Sequence, residues 1–149
     1  MHRILVINPG STSTKIAVFD DEHVLLSSTV KHSTQELHNF PHVIDQYQFR
    51  RNHILEYLAK EKIDLATIDV VVGRGGLLRP LQSGGYEVNE RMIYDLRQVL
   101  NGEHASNLGA ILAQEIAHKI PDCKAYIADP VVVDELQDVA RISGLPQFP

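Results

Sequence analysis

The sequence predicts an α/β domain: a mixed five-stranded sheet, its first three strands antiparallel, with helices packed on it. Two observations carry this. Three short apolar runs with short connections open the chain, which implies an antiparallel meander. After Phe40 the apolar period lengthens to that of helices, interrupted by one dense β-branched run at Val70-Val71-Val72.

Ile4-Leu5-Val6-Ile7 reads as the first strand and Ile16-Ala17-Val18-Phe19 as the second, joined through Asn8-Pro9-Gly10-Ser11-Thr12-Ser13-Thr14-Lys15. Val24 to Val30 reads as the third strand, after a turn at Asp20-Asp21-Glu22-His23. Ser33 to Phe40 is polar and reads as a loop. Ile44, Tyr47, Ile54, Leu55 and Leu58 then recur at helical spacing, with Pro41 suited to a first turn. Ile68 to Gly73 has the near-continuous apolar character of a central strand covered on both faces. Gly73-Arg74-Gly75-Gly76 breaks it, and Leu77 to Gly85 reads as loop. Asn89 is suited to cap a helix carrying Met92, Ile93, Leu96, Val99 and Leu100, ended by Asn101-Gly102. A further helix is expected from about Ser106 to Lys119, stopped by Pro121, and a last strand from Cys123 to Ala128.

The 149 residues are one domain's worth, and 44% apolar content allows an ordinary core. A formal charge of −5 argues against nucleic acid as a partner and against a polybasic membrane patch. No apolar run approaches the roughly 18 residues a spanning helix needs. Met1-His2-Arg3 leads directly into a strand without a signal-peptide pattern, and Cys123 is the single cysteine, so a reducing cytoplasm is expected. The eight histidines are dispersed, without the spacing of a metal site.

The hairpin turn suits a phosphate. Gly10 permits close backbone approach, Ser11 and Ser13 offer hydroxyls, and Lys15 supplies charge. The same residues also read as a merely polar turn. Asn8, Arg74 and Asp129 each follow an apolar strand, and in α/β sheets ligands collect at the carboxyl ends of strands. They define either one shared pocket or, equally, separate surface groups.

Taken together, four segments resemble the acetokinase family, most closely its butyrate kinase branch: Val6 to Lys15, Val72 to Pro80, His104 to Ala110 and Asp129 to Leu136. Arg141-Ile142-Ser143-Gly144-Leu145-Pro146 adds a fifth. The resemblance implies a ribonuclease H-like, actin-like ATPase domain. It implies reversible transfer of the ATP γ-phosphoryl to butanoate, giving butanoyl phosphate and ADP, with ATP and Mg²⁺ as cofactors. Acetate, propionate or branched-chain carboxylates, or a non-catalytic phosphate-binding domain, are the alternatives.

By the same resemblance, Asn8, Gly10, Ser11, Ser13 and Lys15 form the phosphate loop. Asp129 is the acid near the magnesium, reached through water, and His104 lines the site. Acetate kinases place histidine where Arg74 stands and carry their carboxylate-binding arginine a few residues earlier. Here that stretch is Asp69-Val70-Val71-Val72, which leaves Arg74 and Arg79 as candidates. The resemblance covers the first part of the family's chains. It implies a second, nucleotide-binding domain after the N-terminal one at 1–149, an oligomeric full-length enzyme, and negligible activity for these residues alone. Apolar surface facing that domain is expected around Val131-Val132-Val133 and Phe148.

Overall fold

A computed structural model describes residues 1–142 and Gly144; Ser143 and residues 145–149, including Phe148 and the end of the fifth motif, lie outside the described residues. Six strands form one mixed sheet in the order β3-β2-β1-β4-β6-β5. They are β1 (Arg3–Pro9), β2 (Ser13–Asp20), β3 (His23–Lys31), β4 (Val70–Arg74), β5 (Gly85–Glu87) and β6 (Lys124–Ala128). The helices are α1 (Thr34–Leu37), α2 (Tyr47–Lys60), α3 (Glu90–Arg97) and α4 (Leu108–Ala117).

The first three strands pair antiparallel as expected, whereas β1, β4 and β6 run parallel to one another. This geometry aligns the carboxyl ends of three strands along one edge of the domain. Alternation in β1 sends Leu5 and Ile7 to one face, and β2 sends Ile16 and Val18 to the same face. There they meet Ile54 and Leu58 of α2 and Leu108, Leu112 and Ile116 of α4. A smaller cluster joins Ile93 and Leu96 of α3 to Ala110, Ile111 and Ile127. Val6 and Val72, paired in register on the opposite face, are only half-buried. β4 is therefore interior to the sheet, yet fully covered on one face rather than both.

The strand count corrects the expectation of five. β5 has three residues, too few for an alternating pattern to show, and it forms by pairing Tyr86 with Ile127. The Ser33–Phe40 segment contains one helical turn, because Ser33 and Glu36 make a reciprocal capping box. Pro41 precedes the helical residues; a 3-10 turn (Val43–Gln46) leads into α2 instead. The Asn89 side chain does cap α3, accepting from the Met92 N–H at 2.9 Å. That helix stops at Arg97 rather than Asn101. Val99 adopts a left-handed backbone and Leu100 is 59% exposed.

The glycines after β4 serve close packing. A Cβ on Gly73 would lie 2.1 Å from the Gly109 carbonyl oxygen, and one on Gly109 would lie 1.9 Å from that of Arg74. The end of β4 and the first turn of α4 thus touch backbone to backbone. Buried Asn107 fixes the following loop, accepting from the Leu77 N–H at 2.8 Å and donating to the Gly102 carbonyl at 2.9 Å.

Candidate phosphate and carboxylate site

The register of the parallel strands builds the site. Ile7 pairs with Gly73 and Gly73 with Ile127, so Asn8 and Arg74 follow side by side at the carboxyl ends of β1 and β4. Arg74 pairs with Ala128, and Asp129 is the next residue. Asn8 also pairs with Lys15 across the hairpin, which puts both on one face.

Two adjoining clefts share Asn8 and Arg74. The larger, about 500 Å³, is lined by the loop residues Asn8, Gly10, Ser11, Ser13 and Lys15 together with Arg50, Arg74 and His104. The second, about 410 Å³, has an apolar wall of Val6, Val72 and Ala128, with Arg74 and Asp129 at its rim. Every sequence-predicted site residue except the alternative Arg79 lines one of these clefts. Arg79 instead makes an ion pair with buried Asp95 at 3.2 Å, which also meets Arg91 at 3.0 Å. Arg79 is thereby withdrawn from the clefts, and of the two candidates Arg74 is the one that lines them. Among the described residues neither Arg74 nor Lys15 forms an ion pair, so both charges remain available.

The turn between β1 and β2 is only Gly10-Ser11-Thr12, closed by the Gly10 N–H donating to the Ser13 carbonyl at 2.7 Å. Its support is Arg50, a residue the sequence reading passed over. The Arg50 guanidinium donates to the Gly10 carbonyl at 2.7 Å, the Ser11 carbonyl at 3.0 Å and the Ser13 carbonyl at 3.1 Å. Gln46 Oε1 accepts from both Nε and Nη2, at 3.0 and 2.8 Å, and Thr14 Oγ1 accepts at 3.3 Å. Arg50 is wholly buried, and burial lowers its pKa to about 10. A signal was present: Arg50 lies four residues before Ile54 and eight before Leu58, on the buried stripe of α2.

Behind the loop, Thr14 Oγ1 lies 2.9 Å from His32 Nε2, and both residues are buried. His104 stands at the start of the 3-10 turn Ala105–Asn107. Its Nδ1 accepts from the Ser106 N–H at 3.1 Å and lies 2.7 Å from Ser106 Oγ. In the neutral ring an accepting Nδ1 leaves the proton on Nε2, and His104 is one of the residues lining the larger cleft. Asp129 holds a left-handed backbone, with φ of 42°, and its backbone N–H donates to the Gly84 carbonyl at 3.1 Å. Aspartate tolerates that conformation better than most residues, and Asp21 and Asp122 adopt it too, in turns outside the clefts.

A magnesium ion fits this donor set. Among the described residues no three His, Cys, Asp or Glu side chains gather around one point. Mg²⁺ does not need that, since it is commonly held by one or two carboxylates, water and phosphate oxygens. Asp129 is exposed at the rim and can serve as that carboxylate.

Butyrate kinase 1 of Clostridium acetobutylicum is 52% identical to this chain over 149 residues, covering 100% of this chain and 42% of the relative. The chain is a relative of the butyrate kinases along its whole length. Butyrate kinase 2 of the same organism gives 52% over 147 residues, with 99% and 41% covered. The chain thus spans less than half the length of these curated relatives, and the match falls on their N-terminal part. No family model matches it. The crystal structure of Porphyromonas gingivalis acetate kinase superposes with a TM-score of 0.55 at 16% identity, covering 86% of this chain and 37% of that one. The shared fold is the actin-like, ribonuclease H-like one. Among the described residues, no helix is long and apolar enough to cross a membrane. Of the apolar surface expected near residue 131, Val131 is 36% exposed, whereas Val132 packs against the α3 cluster.

Proposed function

We propose that these adjoining clefts are the phosphoryl and acyl side of a carboxylate kinase site, cytoplasmic, transferring the ATP γ-phosphoryl reversibly to butanoate. The observation that carries this reading is the row Asn8, Arg74 and Asp129 beside a hydroxyl-rich loop. Arg74 pairs with the substrate carboxylate, and the wall of Val6, Val72 and Ala128 receives its alkyl chain. Above a pKa near 4 the carboxylate is already a nucleophile, so no general base is needed. One carboxylate oxygen bonds to the γ-phosphorus as the bond to the β-γ bridging oxygen breaks, and ADP leaves. Charge on the equatorial phosphoryl oxygens is met by the Ser11 and Ser13 hydroxyls, loop N–H groups, Lys15 and the His104 Nε2 proton. Asp129 would hold Mg²⁺, which when bound neutralises phosphate charge.

The reaction needs the donor and acceptor in line between two walls. Residues 1–149 alone should therefore give negligible butanoyl hydroxamate from ATP, butanoate and hydroxylamine. Joined to the C-terminal part of butyrate kinase 1 of C. acetobutylicum, they should be active. In that protein Asp129→Asn should lower kcat roughly 10²–10³-fold with little change in KM for butanoate. An unimpaired Asp129→Asn removes Asp129 from the mechanism, and robust synthesis by residues 1–149 alone overturns the two-wall reading.

A further inference from the structure

We infer that Arg50 is a positioning residue whose unneutralised buried charge attracts the phosphoryl group, and that Gln46, by being an amide and not a carboxylate, keeps that charge available. The inference rests on the phosphate-loop reading above and goes beyond it.

Three observations carry it. First, Arg50 is wholly buried and among the described residues makes six hydrogen bonds, all to uncharged acceptors: three loop carbonyls, the Thr14 hydroxyl and the Gln46 amide oxygen. Buried cations are normally paired with an acid, because burying a lone charge is costly. The acid on the cleft wall, Glu103, is occupied elsewhere, accepting from the Val43 N–H and lying 3.8 Å from His42 Nδ1. Second, burial is the sole cause that moves the Arg50 pKa, to about 10, so the group stays protonated at neutral pH. Third, the guanidinium lies directly beneath the loop that walls the cleft, bonded to the Gly10, Ser11 and Ser13 carbonyls, and Arg50 is one of the residues around that cleft with Ser11, Ser13 and Lys15. By drawing the carbonyls of Gly10 and Ser11 to itself, it turns the N–H groups of Ser11 and Thr12 the opposite way, since a trans peptide opposes the two. One side chain thus orders the loop amides and adds charge behind them.

A role confined to holding the loop and a role in attracting the anion differ at Gln46. Gln46→Glu preserves the oxygen that accepts both bonds and places a carboxylate against the guanidinium. Thermal unfolding should then show a Tm at or above that of the parent chain. Affinity for inorganic phosphate, by calorimetric titration of residues 1–149 at low ionic strength, should fall about tenfold. Lys15→Ala, the control for the loop reading, should weaken phosphate as well. Unchanged phosphate affinity in Gln46→Glu alongside weakened binding in Lys15→Ala overturns the inference and leaves the loop reading standing. A parent chain that does not bind phosphate, or a Lys15→Ala chain that binds it equally well, overturns both. Where Gln46→Glu does not fold, Arg50→Lys against Arg50→Met makes the same comparison. Affinity retained by Lys and lost by Met supports the role of charge; equal affinities refute it.

Discussion

Below neutral pH this fold should lose stability through one buried imidazole. His32 follows β3 and is 4% exposed, with Nε2 2.9 Å from Thr14 Oγ1. Its ring stacks on His53 at 5.6 Å between centroids and tilts against Phe49 at 5.4 Å. Burial, then the Arg50 charge, then His53 push its pKa from 6.5 down to about 4, with Glu36 opposing weakly. A base depressed in the folded state binds its proton more readily when unfolded. Its contribution is therefore fully present above pH 6.5 and is lost as pH falls from 6.5 to about 4. At about 1.36 kcal/mol per pH unit, that displacement amounts to about 3 kcal/mol. Urea unfolding at steps between pH 7 and 4.5 should show the decline. His32→Phe keeps an aromatic in the stack and removes the titration, so its stability should vary much less over the same range. The depressed carboxyl group of Asp20 titrates in both proteins and cancels in the difference, while Glu36, held down mainly by its Ser33 hydrogen bonds, changes little. Parallel pH profiles for the two chains would refute the reasoning.

Two further outcomes test the packing that positions Arg74. Gly109→Ala forces a methyl into the Arg74 carbonyl, a backbone atom that cannot swing aside, and should cost about 3 kcal/mol or prevent folding, by urea unfolding. Asn107→Ala strands the Leu77 N–H and the Gly102 carbonyl, and should cost about 1–3 kcal/mol in the same assay.

The hairpin, the interior strand at Val70 to Val72 and the Asn89 cap were legible because each rests on local chemistry: alternation, β-branching, a side-chain acceptor before an apolar stripe. What escaped reading depends on distant partners. β5 exists only because β6 offers it an edge, so three residues that begin with Gly85 and follow Gly84 showed no pattern of their own. Leu100 fits the helical spacing, but the chain turns at Val99 before reaching it. Arg50 stands in a charged run, Arg50-Arg51-Asn52-His53, that resembles a solvated face. Only its spacing from Ile54 and Leu58 marks it as inward, and its loop acceptors lie some forty residues earlier. Similarly, Arg74 and Arg79 were equivalent as sequence. Buried Asp95, on α3, is what separates them.

The central claim is that the carboxyl ends of β1, β4 and β6 bind a phosphoryl group beside a carboxylate. Titration of ¹⁵N-labelled residues 1–149 with butanoyl phosphate, followed by amide and arginine side-chain shifts, tests it directly. The account predicts saturable shifts at Gly10 to Lys15, His104, Asp129 and the Arg74 guanidinium, with inorganic phosphate reproducing the loop shifts alone. Saturable shifts confined to other surfaces, such as that between Leu78 and Asp95, or none at all, would contradict it.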